Sequence, residues 1–480
     1  MKAKLFLLIS LTFFLFQTNA QQHSEQTLNY IYPKDPLVLK KLSEWQDNKL
    51  GLMLTWGTYS QWGIVESWSL CPEDEGWCQR RGPYAANWYE YKKAYENLQT
   101  VFNPVKFDPM KWAASAKAAG FKYMLAMAKH HDGFCMFDTK TTDYKITDSK
   151  SPFSKDPRSN VTKEILKAFR DDGFMTGVYF SKPDWHAPDY WWSYFPPKDR
   201  NPSYDTKKYP ERWQKFKDFT FTQMQELLSD YGSVDILWLD GGWVRPYKTI
   251  DSSISWQKTI PYDQDIDMPK IAKMGREHQP GLLVVDRTVT GEYENYVTPE
   301  QQIPEKHLSY PWESCITMGT SWSYVPNDHY KSPRKLINIL CDVVAKGGNL
   351  ILNIGPNPEG EIDDTAYARL HDMSEWMKVN SEAIFGTRSI APYREGNLAY
   401  TKKANTIYAI YLPGDTETNI PGEIELPSLQ PMAKGKVYLL GYTKPLAWKK
   451  AGDKVIVTIP KTLQKNPPCE NAWVLKFAAH

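Results

Sequence analysis

Short apolar runs alternate with longer amphipathic stretches through most of the chain. The apolar runs have the length of strands and cover residues 51–56, 123–128, 175–181, 234–240, 282–286 and 350–355. Stretches with helical spacing of apolar positions separate them, at 110–119, 161–172, 211–231, 268–278 and 333–346. Apolar strands that are each followed by a helix are typical of a parallel sheet covered by helices. The pattern predicts an α/β fold, a (β/α)8-like barrel with two strands not recognisable from sequence.

The pattern changes towards the C-terminus. From about Pro392 the helical spacing stops, and short alternating runs separated by turn residues follow: NTIYAIYL, KVYLLGY, KVIVTI and AWVLKF. Such runs predict a small antiparallel β-sandwich. We therefore expect a barrel domain over residues 21–387 and a C-terminal sandwich over residues 388–480.

The N-terminus has the features of a secretory signal peptide. Lys2 and Lys4 precede the apolar run 5–16, and small residues including Ala20 come before Gln21. Since a bilayer span needs about 20 apolar residues, this run is too short for one. The sequence predicts a signal peptide over residues 1–20, export to the periplasm or medium, and no membrane insertion. In an oxidising compartment Cys71 and Cys78 are candidates for a local disulfide.

The charge balance narrows the class of partner. Lys and Arg number 58 and Asp and Glu 56, for a net charge of +2. This balance does not favour nucleic acid or an anionic membrane surface as a partner. The 19 Trp, 29 Tyr and 19 Phe fit large buried cores and also fit stacking on sugar rings. An oligosaccharide or glycoconjugate is therefore a candidate ligand.

Polar side chains follow the predicted strands, where a parallel barrel gathers its active site. Asp240 closes the run 234–240 and is followed by two glycines. This position favours a catalytic carboxylate over a helix cap or a buried ion pair with Arg287. The polar residues that end the other runs are Thr55, His130, His131, Asp132, Tyr179, Ser181, Asp286, Arg287 and Asn353.

A glycosidase needs a second carboxylate, which in retaining enzymes lies about 5–5.5 Å from the first. The candidates in the loops after the later strands are Glu292, Glu294, Glu300 and Glu313. Glu300 is favoured because the preceding Pro299 fixes the local backbone, although composition alone does not rank the four.

His130 and His131 suggest either a metal site or a sugar site. Adjacent side chains on an extended strand point to opposite faces, so we expect that the two do not bind one ion. Imidazoles that hydrogen-bond sugar hydroxyls are favoured instead, with no metal and no cofactor. The aromatic stretch 190–195 fits a packed loop and a sugar platform equally well.

Several blocks, taken together, resemble a known family. In chain order they are KHHDGF, ILWLDGGW, DR followed by GEY and TPE, PWESC followed by SWSY, and GGNLILNIGPNPEG. Between about residues 45 and 386 their order is that of glycoside hydrolase family 29, the α-L-fucosidases. The resemblance implies a barrel with a C-terminal β-sandwich and retaining hydrolysis of terminal α-L-fucosyl residues without a cofactor.

The resemblance also implies roles for single residues. Asp240 matches the nucleophile and Glu300 the acid/base of one branch of the family. Double displacement through these two carboxylates is the mechanism that it implies. The residues implied for binding or supporting the sugar are Trp56, Trp88, His130, His131, Tyr179, Trp238, Arg287 and Trp322.

Two positions depart from the family pattern. Thr55 stands where the family has histidine, and Asn87 stands where it has glutamate; both normally hydrogen-bond the sugar. These changes leave two alternatives to a fucosidase: an α-L-galactosidase or related α-L-glycosidase, and a non-catalytic carbohydrate-binding protein on the same fold. The histidine pair leaves a third, a metallohydrolase.

Overall fold

Seven parallel strands form the central sheet in a computed structural model that describes residues 30–73 and 78–479. They are β1 (Leu50–Leu54), β2 (Tyr123–Lys129), β3 (Met175–Ser181), β4 (Ile236–Asp240), β5 (Leu283–Asp286), β6 (Glu313–Thr317) and β7 (Asn349–Ile354). Their order across the sheet is β5-β4-β3-β2-β1-β7-β6. The predicted (β/α)8-like architecture is confirmed in this form, with β5 and β6 as the two edges of an incomplete barrel.

An irregular segment, residues 293–301, lies between these two edges. On the β5 side, the Tyr293 carbonyl accepts a hydrogen bond from the Asp286 amide at 2.9 Å. On the β6 side, the Pro299 carbonyl accepts one from the Cys315 amide at 3.1 Å. Pro299 has no N–H to donate, so it interrupts a regular ladder. The segment takes the place of an eighth strand.

The six strands expected from the sequence are all present, as β1 to β5 and β7. The missed strand is β6, in which Glu313, Ser314 and Thr317 interrupt the apolar pattern although every residue of the strand is buried. Polar side chains inside a barrel hide a strand from a hydrophobicity pattern, because burial there depends on hydrogen-bond partners rather than on apolar character.

Eight helices surround the sheet, and the buried residues of the first of them pack against the side chains inside the barrel. They are α1 (Pro36–Asn48), α2 (Trp88–Glu96), α3 (Pro109–Ala118), α4 (Val161–Asp171), α5 (Pro210–Ser229), α6 (Met268–His278), α7 (Pro333–Ala345) and α8 (Asp364–Asn380). Asp35, Asp108 and Ser332 each accept a backbone N–H of the first turn of α1, α3 and α7, and a proline follows each of them. These caps define where the helices begin.

Two antiparallel sheets follow the barrel. Their strands are β8 (Arg388–Glu395), β9 (Leu398–Lys403), β10 (Thr406–Tyr411), β11 (Glu423–Leu426), β12 (Tyr438–Leu439), β13 (Trp448–Ala451), β14 (Lys454–Thr458) and β15 (Trp473–Ala478), with the short helix α9 (Lys461–Lys465). The sheet orders are β12-β15-β10-β9-β8 and β11-β14-β13. The expected division between residues 387 and 388 falls directly before β8.

Residues 1–29 lie outside the described part of the chain, and the signal peptide expected over residues 1–20 lies among them. Residues 74–77, between Cys71 and Cys78, are also outside it. The disulfide between these two cysteines stays a prediction. Among the described helices, none is both long enough and apolar enough to cross a membrane.

Trp56 lies in the core between sheet and helices and not in the barrel mouth. Its side chain is 2% exposed and packs against Phe102, Phe107 and Trp112, with ring centroids 5.5 to 5.7 Å away. Its indole N–H donates to the Asn357 carbonyl at 3.0 Å. The structure thus corrects the expectation that Trp56 binds substrate, because its indole packs into the outer helical layer.

Replacing Trp56 with alanine should therefore reduce stability. Loss of a large buried aromatic costs about 3–5 kcal/mol of the free energy of unfolding, measured by urea denaturation followed by circular dichroism. Tyr194→Ala is the control, since Tyr194 is 71% exposed and its loss should change stability little. Equal effects of the two substitutions would contradict the core position of Trp56.

Candidate active site

Asp240 is the last residue of β4 and lies at the carboxyl end of the barrel. The Arg287 Nη1 donates to its Oδ1 at 2.9 Å, and the Tyr179 hydroxyl donates to its Oδ2 at 2.5 Å. The Nε2 of His131 lies 3.8 Å from Oδ2. The side chain is 16% exposed, so a small ligand can reach a carboxylate that is already held on both oxygens.

The glycines after Asp240 are needed for packing. At Gly241, φ is +84°, and a β-carbon there would meet the Pro183 ring at 2.2 Å. At Gly242, a β-carbon would meet the Thr288 hydroxyl at 2.0 Å. Side chains at these positions would displace the neighbouring loops, so the glycines allow the β3, β4 and β5 loops to converge around Asp240.

Arg287 joins Asp240 to Glu300. Its Nη2 donates to the Glu300 Oε2 at 2.8 Å, while its Nη1 holds Asp240. Its guanidinium carbon lies 4.5 Å from the centroid of the Trp238 ring. A single planar guanidinium that donates to two carboxyl groups brings them side by side. This arrangement favours the short separation of the two carboxyl groups in retaining glycosidases over the longer separation in inverting glycosidases.

The two carboxyl groups differ in their pKa. Burial alone would raise the pKa of Asp240, but the charge of Arg287, His131 and the hydrogen bond from Tyr179 hold it well below its usual range. At Glu300, burial raises the pKa above its usual value, against the lowering effect of Arg287. One group is therefore kept ionised and the other favours its proton, the division of roles that acid/base catalysis needs.

The other three candidate glutamates lie elsewhere. Glu292 is exposed to solvent, and Glu294 accepts a hydrogen bond from the Thr288 amide at 3.0 Å. Glu313 is fully buried at the start of β6, where it accepts from Tyr123 and Trp238; burial raises its pKa to about 8. Of the four, Glu300 is the one that shares Arg287 with Asp240.

His130 and His131 lie side by side, with ring centroids 4.1 Å apart. The Nδ1 of His130 pairs with the Ser67 hydroxyl at 2.5 Å, and the Nδ1 of His131 pairs with the Ser181 hydroxyl at 2.7 Å. The expectation that they point to opposite faces is wrong, since β2 has a register shift between Met127 and Lys129 and both histidines follow it. Burial lowers the pKa of His130, which favours a neutral imidazole.

Two of the expected tryptophans lie near the paired carboxylates. The Arg287 guanidinium lies over the Trp238 ring, and Trp322 hydrogen-bonds Glu300. Trp88 is half-buried further out, where its indole donates to the Leu70 carbonyl at 2.8 Å and its ring packs against Trp191. The structure therefore does not bring Trp88 or Trp56 to Asp240.

The two departures from the family pattern have structural roles. Thr55 is 2% exposed and donates to the Asn353 side chain at 2.5 Å; that side chain in turn donates to the Trp322 carbonyl. Asn87 is exposed and caps α2 by accepting the amides of Tyr89 and Glu90. Thr55 thus supports Trp322 through Asn353, while the Asn87 side chain caps the N-terminus of α2.

Sequence reasoning missed a loop that contributes three consecutive residues. Ser67 holds His130, and Trp68 packs against His131 with ring centroids 5.1 Å apart. Glu66 is 2% exposed, and the charges of Glu300 and Asp240 act on it. The available signal was an acidic, polar and aromatic triplet (ESW) in the loop after β1, since loops at that end of a barrel supply active-site residues.

Buried ion pairs fix the neighbouring loops. Lys129 contacts Asp184 at 2.7 Å and Lys182 contacts Asp286 at 2.5 Å, and these side chains are at most 4% exposed. Breaking a buried pair leaves an uncompensated charge, so the pairs hold the ends of β2, β3 and β5 in register.

The aromatic stretch 190–195 contains both buried and exposed side chains. Trp191 is buried and stacked on Trp185, whereas Tyr194 is 71% exposed.

Comparisons with known proteins extend over nearly the whole chain. A family model described as alpha-L-fucosidase matches residues 15–382, and one described as alpha-L-fucosidase C-terminal domain matches residues 393–478. The alpha-L-fucosidase of Branchiostoma floridae is 26% identical over 464 residues, 92% of this chain and 94% of that protein. The human tissue alpha-L-fucosidase is 26% identical over 489 residues, 98% of this chain and 96% of that protein.

Solved structures show the same fold. Alpha-L-fucosidase isoenzyme 1 from Paenibacillus thiaminolyticus has a TM-score of 0.73 and 27% identity, covering 92% of this chain and 100% of that chain. The Thermotoga maritima alpha-fucosidase in complex with fucose has a TM-score of 0.68 and 27% identity, covering 93% of this chain and 100% of that chain.

His130, His131 and Asp240 form the group most suited to a metal among the described residues, with ligand atoms within 4.8 Å of one another. A cation there would lie beside the Arg287 guanidinium, which already occupies one oxygen of Asp240 while Tyr179 occupies the other. Like charges at this distance repel, so these residues fit a hydroxyl group better than a divalent ion.

We expect the protein to retain less than about 0.1 zinc per chain after incubation with excess zinc and desalting, measured by mass spectrometry of the metal. Arg287→Met removes the repelling charge and should increase zinc retention, while the same variant with His130 and His131 also replaced by alanine gives the background. Stoichiometric zinc in the unsubstituted protein would overturn the sugar-site interpretation of the histidine pair.

Proposed function

Because this chain belongs to the alpha-L-fucosidase family, we propose that it hydrolyses terminal α-L-fucosyl residues of glycans with retention of anomeric configuration, using Asp240 as nucleophile and Glu300 as acid/base. The observation that carries this assignment is the Arg287 fork, which donates to both carboxylates at 2.9 and 2.8 Å. A pure binding protein has no need for two adjacent carboxyl groups of opposite protonation preference.

In the first step, an Asp240 oxygen attacks the anomeric carbon while the glycosidic bond breaks. The leaving oxygen takes the proton of Glu300, so a fucosyl ester and a free aglycone form. The low pKa of Asp240 keeps the nucleophile ionised at neutral pH. The raised pKa of Glu300 favours the proton that the leaving group needs.

In the second step, Glu300 takes a proton from water, and the oxygen of that water attacks the anomeric carbon. The ester bond breaks and the Asp240 carboxylate returns. Formation of the ester removes the charge of Asp240, which is one cause of the raised pKa of Glu300. The pKa of Glu300 therefore falls when it must act as a base.

We assign binding of the fucosyl unit to residues around Asp240 and Glu300. The imidazoles of His130 and His131 bind ring hydroxyls, and Tyr179 supports the nucleophile. Trp238 and Trp322 provide apolar walls for the C6 methyl group. An L-galactosyl unit carries a C6 hydroxyl where fucose carries only hydrogen, so it would place a polar group against these walls without a partner, which is unfavourable.

The N-terminal features support export. We propose that residues 1–20 are removed as a signal peptide and that the enzyme acts in the periplasm or outside the cell on oligosaccharides or glycoconjugates. The Lys2 and Lys4 charges ahead of the apolar run 5–16 are the sequence basis of this proposal.

Aryl α-L-fucoside should be hydrolysed faster than aryl α-L-galactoside, and Asp240→Ala should lower kcat on the fucoside by about 10⁴-fold or more because the nucleophile is lost. Release of the aryl alcohol measures both the substrate preference and the loss of kcat.

Azide added to Asp240→Ala should restore turnover and give a fucosyl azide of inverted configuration. Asp171→Ala, at an exposed ion pair on α4, is the control with unchanged activity. Full activity of Asp240→Ala would exclude it as nucleophile.

The pH dependence of kcat/KM should be set by the two carboxyl groups. Activity requires ionised Asp240 and protonated Glu300, so it falls as the pH rises through the raised pKa of Glu300. Glu300→Gln should remove this alkaline fall and lower kcat/KM by about 10²- to 10⁴-fold for a poor leaving group.

The matched control for the pH experiment is Glu292→Gln, an exposed glutamate of the same loop. It should keep the profile of the unsubstituted enzyme. An alkaline fall that persists in Glu300→Gln at unchanged pH would assign the general acid to another residue.

A further inference from the structure

The aromatic stretch 190–195 belongs to the loop between β3 and α5. Loops that follow the strands of a parallel barrel lie at its carboxyl end, which is also where Asp240 lies. By sequence, the stretch fits a packed loop and a sugar platform equally well. In the structure its two halves differ, because the first half is packed and the second half is exposed.

The two ends of the loop are held together by hydrogen bonds. The Trp191 indole donates to the Asn201 carbonyl at 3.0 Å, and the Ser203 amide donates to the Tyr190 carbonyl at 3.2 Å. Residues 192–199 therefore form a compact surface loop whose ends lie side by side. Loops of this kind are frequently functional.

Both ends of the loop also pack against rings that contact His131. The Trp191 ring stacks on Trp185 with centroids 5.1 Å apart, and the Trp185 ring lies 5.2 Å from the His131 ring. At the other end, the Arg200 guanidinium carbon lies 5.2 Å from the centroid of the Trp68 ring. Trp68 in turn packs edge-on against His131. The loop is therefore part of the rim of the candidate active site.

The tip of the loop exposes an aromatic ring to solvent. Tyr194 is 71% exposed, the highest fraction among the large apolar side chains of residues 30–73 and 78–479. Its ring stacks on Trp192 with centroids 5.1 Å apart, and Phe195 packs edge-on against it at 4.8 Å. The Tyr194 ring is thus supported by Trp192 on one side and open to a ligand on the other.

Trp192 is itself fixed by residues at the start of α5. The Arg212 guanidinium carbon lies 4.1 Å from the centroid of the Trp192 ring, and Arg212 donates to the Asp189 Oδ1 at 2.5 Å. The Tyr209 ring packs edge-on against Trp192 at 5.2 Å. Because these contacts set the orientation of the tip before a ligand arrives, binding costs little additional side-chain entropy.

A supported and exposed aromatic ring at this position fits a pyranose unit. One face of a pyranose consists largely of C–H groups, and their hydrogens are attracted by the negative face of an aromatic ring. An exposed apolar cluster marks a binding surface more often than a packing role. The residues around Asp240 and Glu300 are assigned to the fucosyl unit, so a ring on the rim meets the part of the glycan that leaves.

We propose that Tyr194, supported by Trp192, stacks on a pyranose unit of the aglycone, the part of the glycan beyond the cleaved bond. This inference rests on the proposed function and adds a binding subsite to it. The contact acts on binding of the oligosaccharide and not on the bond that breaks.

The test compares substrates with and without sugars beyond the cleaved bond. α-L-Fucosyl fluoride has a leaving group of one atom, whereas fucosyl-terminated di-, tri- and tetrasaccharides carry one, two or three further pyranose units. Tyr194→Ala should lower kcat/KM about 3- to 10-fold on the oligosaccharides that reach the ring, mainly by raising KM, and should leave fluoride release unchanged. Tyr194→Trp should retain the oligosaccharide activity because it also presents a flat ring.

Tyr32→Ala is the matched control for loss of an exposed tyrosine. Tyr32 is 53% exposed, and its hydroxyl donates to the carbonyl of Ser309, which precedes β6 at the opposite end of the barrel. This variant should keep the kcat/KM of every substrate. Light scattering on the parent and on all variants measures whether the assembly state changes.

The outcomes separate the inference from the proposed function. If the parent enzyme hydrolyses neither fucosyl fluoride nor the oligosaccharides, the proposed function fails and the inference fails with it. If the parent is active, the inference alone is overturned when Tyr194→Ala matches Tyr32→Ala on every oligosaccharide. It is also overturned by an equal loss on the fluoride and the oligosaccharides, which is the result of a merely structural role. Conversion of an oligomeric parent into monomers by Tyr194→Ala would overturn it as well, because the partner of the ring would then be a second copy of the chain.

Discussion

The arrangement of the active site depends on one buried guanidinium. Arg287 is 4% exposed and donates to Asp240 and Glu300, while its charge rests on the Trp238 ring. Burial of a cation is unfavourable without compensating charge and hydrogen bonds, and the two carboxylates provide both. The same contacts lower the pKa of Asp240 and set the two carboxyl groups side by side. The relative position of the two carboxyl groups and the low pKa of Asp240 therefore have the same physical cause, their contacts with Arg287.

The incomplete barrel makes this arrangement possible. Asp240 ends β4 and Arg287 follows the neighbouring β5, but Glu300 comes from the irregular segment 293–301 between β5 and β6. Its backbone hydrogen-bonds to both edges, with Pro299 as a point where the ladder is interrupted. Irregular backbone at a barrel rim changes the direction of a side chain. Here it turns Glu300 towards the arginine shared with Asp240.

Buried ion pairs and hydroxyl partners support the residues around the two carboxyl groups. The buried Lys129–Asp184 and Lys182–Asp286 pairs hold the strand ends, and hydroxyl partners fix the Nδ1 atoms of both histidines. A histidine whose other nitrogen is held presents its Nε2 in a defined direction. Thr55 supports Trp322 through the Asn353 side chain. A strand end thus positions Asp240, while an irregular segment positions Glu300.

The sequence by itself determined the strands whose residues are apolar, the switch to antiparallel sheets, and the placement of Asp240, His130 and His131 at strand ends. These follow from periodicity, because burial of regular elements requires it. Tertiary packing, which overrides the local hydrophobicity pattern, decided three other features. They are the polar strand β6, the core position of Trp56 and the side-by-side rings of the histidines. Only the folded chain brings together Glu66 and Ser323, which are distant in sequence, because the ends of parallel strands meet at one face of the barrel.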